Sequence, residues 1–273
     1  MKKKRIIPVI LFRKGYTVQG KQFQRYNNMG HLADTLTRFS QWGSDELIVL
    51  DISGSEGKSN NKRSDVIHKG SADTDFISIL TNSSRNAFMP LAVGGGISTL
   101  HDIEVRLAAG ADKVVLNSIV LRDSTFLGRA AREFGSQCIV VGVNFRTLQD
   151  NIEYYACGER KFLQFQLLSF LKMVEDNGAG EIMLTDVDRD GMKTGFNIRV
   201  MSEAAMRVNI PVIACGGAGS WEDFNEAFTS TKIDGVAAAN IFYHSDQSIF
   251  LAHDYLVKKN INVREPELFK RGW

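Results

Sequence analysis

Cysteine is scarce in this 273-residue chain: Cys138, Cys157 and Cys215 are its only three, and no two are spaced C-x-x-C. Such usage gives neither a disulfide framework nor a zinc-finger ligand set, and it leads us to expect a reducing, cytoplasmic setting. Proline is nearly as rare, at four residues, and the 24 glycines follow no triplet period. With 44% hydrophobic residues, that composition excludes collagen-like and disordered chains and fits a globular one. No stretch approaches the roughly 20 consecutive apolar residues that cross a bilayer. The opening MKKKRIIPVILF begins like a secretion signal, but its apolar run is short, and Arg13 and Lys14 stand where a small-residue cleavage site would. It reads as a basic lead into a buried strand. A formal net charge of +2 lacks the one-sided basic balance of a nucleic-acid binder. Asp186, Asp188 and Asp190 before Gly191 imitate the start of a calcium loop, but Asn197 occupies the closing glutamate position. Neither a metal nor a cofactor is expected.

What the chain does contain is a repeat of itself. FMPLAVGGG (88–96) matches NIPVIACGG (209–217), pairing Pro90 with Pro211, Gly95 with Gly216 and Gly96 with Gly217 at an offset of 121. DELIVLDIS (45–53) matches GEIMLTDVD (180–188), with Glu46/Glu181 and Asp51/Asp186 offset by 135. RIIPVILFR (5–13) matches CIVVGVNFR (138–146), offset by 133. The drop in offset places about 14 extra residues in the first half, after Asp51. The polar stretch from about 53 to 75 accommodates them as a long βα loop, either a docking or lid element or a solvated insertion.

Short unbroken apolar runs predict strands near 6–11, 47–51, 91–93, 114–116, 139–143, 182–185, 212–214 and 235–239. Runs of that kind suit parallel strands buried on both faces. Between them MGHLADTLTRFSQWG and LHDIEVRLAAGA carry apolar residues at helical spacing and end in glycine. Eight βα units in a duplicated chain predict one (β/α)8 barrel built from two half-barrels over 1–273. A doubly wound open sheet is the alternative, and it explains the duplication less well. In a barrel, chemistry sits at the C-terminal strand ends. Gly94-Gly95-Gly96 and Gly216-Gly217-Ala218-Gly219 fall there, as symmetry mates. Glycine turns admit close approach of backbone N–H groups to an anion, so two turns predict two phosphates on one elongated ligand; otherwise they are simply tight turns. Asn117-Ser118 and Asn240 end strands four and eight and complete the two sites. Asp190 and Gly191 are expected to meet the ligand, Asp188 to pair with Arg189, and Asp51 and Asp186 either to touch ligand or to cap helices.

The same motifs, RIIP, DELIVLDIS, VGGGI, GADKVVLNS, FGSQCIVV, GAGEIMLTDVDRDGMKTG and IPVIACGGAG, resemble the cyclase subunit of imidazole glycerol phosphate synthase over nearly the whole chain. The resemblance implies a (β/α)8 barrel that takes ammonia from a glutaminase subunit on its N-terminal face. It further implies closure of an imidazole ring on a ligand with two phosphates at the other end. Carried over by position, the phosphate residues are Gly96, Asn117 and Ser118 on one side. Asp190, Gly191, Gly216, Gly217 and Ala239 lie on the other, with Asn240 in place of the usual serine. The charged ring at the ammonia entrance corresponds to Arg5, Glu46, Lys113 and Glu181, unless these only staple the barrel floor.

The chemistry positions differ. The family places acid/base aspartates at the ends of strands one and five, where this chain has Leu11 and Asn144. The usual lysine of the first βα loop is Gln19, with Lys21 nearby. Neither leucine nor asparagine can exchange a proton as a carboxyl group does. The pattern is similar to a branch of the family tied to surface-polysaccharide synthesis, in which barrel and glutaminase supply ammonia to a separate sugar amidotransferase. Ring closure with displaced acid/base groups and a non-catalytic phosphate-metabolite scaffold are the other two readings. Cys215 is expected to be packing rather than nucleophile, His68 and His101 carry no strong signal, and His244 and His253 are expected on helix surface. The tail from 258, with Phe269 and Trp273, is expected to cover a barrel end or form an oligomer contact.

Overall fold

The structure, a computed structural model, describes residues 2–55, 75–149, 151–157 and 161–267. Strand β1 (Arg5–Arg13) turns back through an antiparallel hairpin, β2 (Tyr16–Lys21) and β3 (Arg25–Gly30), before α1 (Leu32–Gln41) leads to β4 (Leu47–Asp51). Then come α2 (Phe76–Ser84), β5 (Leu91–Gly94), α3 (Leu100–Ala108), β6 (Lys113–Leu116), α4 (Ser118–Arg122) and α5 (Phe126–Phe134). The second half repeats this plan. Strand β7 (Ile139–Leu148) carries its own antiparallel hairpin, β8 (Asn151–Ala156) and β9 (Lys161–Gln164), before α6 (Leu167–Asp176) and β10 (Glu181–Asp186). Helix α7 (Ile198–Arg207), β11 (Val212–Cys215), α8 (Trp221–Ser230), β12 (Gly235–Ala238) and α9 (Ser248–Lys258) complete it.

Parallel pairing runs β1-β4-β5-β6-β7-β10-β11-β12 and returns to β1, where Arg5 to Pro8 pair with Gly235 to Ala238. The result is a closed eight-stranded parallel barrel with helices between its strands, the (β/α)8 architecture. Alternation along each strand separates two cores. Ile7, Val9, Ile48, Val115, Met183 and Ile213 fill the barrel, while Ile6, Ile10 and Phe12 face the helices with Leu36 and Phe39. Both faces are apolar, which is why the strands read as unbroken runs.

The eight expected strands fall in place, but β1 and β7 run past their expected ends into hairpins that the apolar pattern did not show. Helices α1 and α3 occupy the two quoted segments. Of the long loop, Ser53–Ser55 forms a 3-10 turn and the Asp75 side chain caps α2 by accepting the Ser78 N–H at 3.0 Å. Residues 56–74, with His68, lie outside the described residues. The expected surface role of His253 is corrected. It is buried on the face of α9 that carries Ile249, Ala252 and Leu256, its Nε2 3.0 Å from an Asp45 oxygen that also accepts the Ile6 N–H at 2.8 Å. His244 is exposed. The tail segment 261–267 runs along the N-terminal end of the barrel, where the Asn262 carbonyl accepts the Lys4 N–H at 2.8 Å and Val263 is buried; Phe269 and Trp273 lie outside the described residues. Among the described residues no helix is long and apolar enough to cross a membrane.

Candidate functional site

The barrel interior is closed at its N-terminal end by four charges. Arg5 Nη1 lies 2.6 Å from Glu46, its Nη2 also bonds Glu181, and Lys113 Nζ reaches Glu46 at 2.9 Å and Glu181 at 3.1 Å. Each cation bridges both carboxylates, so the four side chains form one ring. The glutamates are almost fully buried, and such charges are tolerated only because every one is paired. Above the ring the column is apolar, through Ile7, Ile48, Ala92, Val140 and Ile213.

At the C-terminal end the duplication reappears in atomic detail. Gly95 and Gly216 have φ of +106° and +88°, and a Cβ on them would stand 2.1 Å and 2.4 Å from the carbonyl oxygens of Asp51 and Asp186. Each turn therefore presses against the last residue of the preceding strand, and only glycine fits. Helices α3 and α8 then start with capping boxes: Thr99 with Asp102 and Ser220 with Asp223, mates at the same offset of 121.

These turns ring a cavity of about 460 Å³. All ten residues expected at phosphates, Gly95, Gly96, Asn117, Ser118, Asp190, Gly191, Gly216, Gly217, Ala239 and Asn240, line it. So do Leu11 and Asn144. Charged lining is sparse: among the described residues it comprises Asp51, Asp190 and Arg122. An anion here must rely mainly on backbone N–H groups. Several polar side chains are already committed. Asn117 Nδ2 donates to the Gly142 carbonyl at 2.7 Å, and its Oδ1 accepts the Tyr154 hydroxyl at 2.7 Å. Asn240 Nδ2 donates to the Gly20 carbonyl at 2.7 Å, while Gln19 donates to the Asn240 carbonyl.

The two hairpins roof the cavity. Backbone N–H of Gln22 donates to the Asp190 carbonyl at 3.0 Å, and Phe23 meets Tyr155 of the opposite hairpin edge to face at 5.6 Å. Phe23, Tyr26, Tyr155 and Cys157 all line the site. None was identified from sequence; the symmetric placement of the two segments after strands one and five was the one available signal.

Burial sets the proton chemistry. Under this roof the Asp190 carboxyl is pushed up to about 7 by loss of solvent, partly opposed by the Phe23 N–H. Burial likewise raises the thiols of Cys157 to about 11 and Cys215 to about 12, which keeps both protonated and agrees with packing for Cys215. Asn144 donates to Cys157 Sγ at 2.9 Å. Two expectations are corrected. Arg189 pairs with Asp186 at 3.6 Å rather than with Asp188, because it folds back to the Thr194 and Gly195 carbonyls. Asp51 and Asp186, expected either to touch ligand or to cap helices, cap no α-helix among the described residues: their oxygens accept the N–H of Ser53 and of Asp188, and Asp51 lines the cavity.

A family model described as histidine biosynthesis protein matches residues 5–248. The imidazole glycerol phosphate synthase subunit HisF of Hydrogenobaculum sp. (strain Y04AAS1) is 37% identical over 262 residues, covering 96% of this chain and 98% of that protein. The protein of the same name from Natranaerobius thermophilus is 34% identical over 261 residues, with the same coverage. With the fold and the paired glycine turns, these matches place the chain in the histidine biosynthesis protein family, as a HisF-like barrel.

Proposed function

We propose that this chain is the synthase subunit of a glutamine-dependent complex. It would take ammonia from a glutaminase docked at the Arg5–Glu46–Lys113–Glu181 ring and hold a ligand with a phosphate at each end, without closing an imidazole ring through paired carboxylates. One observation carries the reading. The ten anion-site positions surround one cavity, while the inward positions of β1 and β7 beneath it carry Leu11 and Asn144. Neutral ammonia can cross the apolar column between ring and cavity; an ammonium ion would pay its full desolvation cost there. The ring is the barrier, and passage requires one cation to leave its two carboxylates. A sugar precursor of surface polysaccharide, aminated by a separate amidotransferase, is the acceptor we assign. The compartment is the cytoplasm, and the whole chain acts as one barrel. Mixing the chain with the glutaminase tests the proposal: a complex and faster glutamine hydrolysis are expected, and no binding at micromolar concentration contradicts it.

A second reading is favoured by the names of the relatives and by Asp190. It is imidazole glycerol phosphate synthase activity in histidine biosynthesis, with Asp190 as a displaced proton donor. A carboxyl titrating near 7 inside the cavity is suited to general acid catalysis. Turnover with ammonium salt, abolished in Asp190→Asn, would support it.

A further inference from the structure

We infer that Arg106 is a positioning residue for the anion turn of the first half-barrel, holding the Gly95–Gly96 peptide so that this end of the cavity favours a doubly charged phosphate. The inference rests on the phosphate reading above. Arg106 lies inside α3 and is only 7% exposed, an unusual place for arginine. Its Nη1 donates to the Asp102 carbonyl at 2.8 Å and its Nη2 to the Gly95 carbonyl at 2.5 Å. Its Nε has no hydrogen-bond partner among the described residues. A peptide group is planar and trans, so its C=O and N–H point in opposite directions. With the Gly95 carbonyl held toward α3, the Gly96 N–H faces the other way, and Gly96 lines the cavity. At Gly96 φ is +65°, and the nearest atom to an added Cβ is Arg106 Nη2 at 3.8 Å. Space does not demand this glycine; the conformation does, and Arg106 fixes it.

The second turn is held differently. The residue 121 positions after Arg106 is Ala227 on α8, which brings no charge. There the carbonyl of Gly217, the mate of Gly96 and so one residue further along, accepts the Gly195 N–H at 3.0 Å, and Arg189, from the loop after β10, holds the Gly195 carbonyl. The two ends of the cavity therefore share glycines, but at the first a guanidinium binds a carbonyl of the turn itself, whereas among the described residues at the second Arg189 reaches the turn only through Gly195. Two carboxylates face Arg106: Asp102 of its own helix and Asp51 at the end of β4. Both already accept backbone N–H groups, Asp102 from Ser98 and Thr99 and Asp51 from Ser53. A phosphate on the Gly96 N–H meets a guanidinium directly behind the peptide, and a dianion gains more from that charge than a monoanion.

Calorimetry with inorganic phosphate on the full chain tests this at about pH 8, where phosphate is mostly dianionic, and about pH 5, where it is mostly monoanionic. Asp190 titrates between these values at the other turn, so each variant is compared with the unaltered chain at the same pH. Arg106→Met is expected to weaken phosphate binding about tenfold at the higher pH and less than about threefold at the lower, with Arg106→Lys partly restoring it. Equal affinity in Arg106→Met and the unaltered chain, or equal loss at both pH values, overturns the role of Arg106 alone. No phosphate binding by the unaltered chain overturns it together with the phosphate reading. If Arg106→Met does not fold, Arg106→Lys carries the test: a loss that does not grow with pH contradicts the inference.

Discussion

Glycine at 95 and at 216 is held by a collision rather than by flexibility. A methyl group there meets the carbonyl of Asp51 or Asp186, backbone that cannot step aside. Gly95→Ala and Gly216→Ala are therefore expected to cost about 2–4 kcal/mol each in urea unfolding, combining a positive φ with a clash. Gly96→Ala, with open space, is expected to cost nearer 1 kcal/mol. The glycine pairs were legible in the sequence because duplication marked them twice. The protonation of Asp190 was not, since it depends on Gln22 and Phe23 folding over from a segment about 170 residues earlier. Its folded-state value lies above the ordinary carboxylate value, so the unfolded chain releases this proton first as pH rises. The contribution of Asp190 to stability is then complete below about pH 4 and lost as pH rises through about 7. Urea midpoints of the unaltered chain should lose this component over that range, and Asp190→Asn should lack it. A difference between the two that stays constant with pH would contradict the assignment.

At the scale of elements, aspartates tie the bottoms of neighbouring strands. Asp45 accepts the Ile6 N–H, Asp112 the Leu91 N–H at 2.8 Å and Asp234 the Val212 N–H at 3.1 Å. Asp45 does more, since buried His253 brings α9 onto the same carboxylate. Asp45→Ala leaves both donors buried without an acceptor, and we expect a loss of about 2–4 kcal/mol by denaturant unfolding, with His253→Ala non-additive to it. Helices α1 and α3 and the barrel strands were legible because their apolar periods reflect burial. The hairpins were not. YTVQGK and RYNNMG pair mainly with each other across the barrel mouth, most of their residues are exposed or only partly buried, and no core imposes a strict alternation. His253 was misplaced for a related reason: its spacing with Ile249 and Leu256 puts it on the apolar stripe, a signal overridden by its polarity.

At the scale of the molecule, duplication produces two different ends. Glu46 and Glu181, mates at 135, sit in the ring, but their cations Arg5 and Lys113 come from strands that are not mates. Lys113→Met leaves two nearly buried carboxylates to Arg5 alone. A loss of about 3–5 kcal/mol is expected in thermal or urea unfolding, together with altered coupling of glutamine hydrolysis to ammonia use if the proposed complex with a glutaminase forms. The architecture was legible from repeat and resemblance together, as was which residues gather at each end; what lies between the turns was not, because Leu11 and Asn144 carry no carboxyl group and point to no other proton donor. Ring closure driven by ammonium salt on the bis-phosphorylated ribotide measures most directly the proposal that no acid/base carboxylate pair operates in this barrel. The unaltered chain is expected to show no turnover above background, and Leu11→Asp with Asn144→Asp to gain it, each carboxylate contributing about 10²–10⁴-fold. Robust ring closure by the unaltered chain would contradict that proposal.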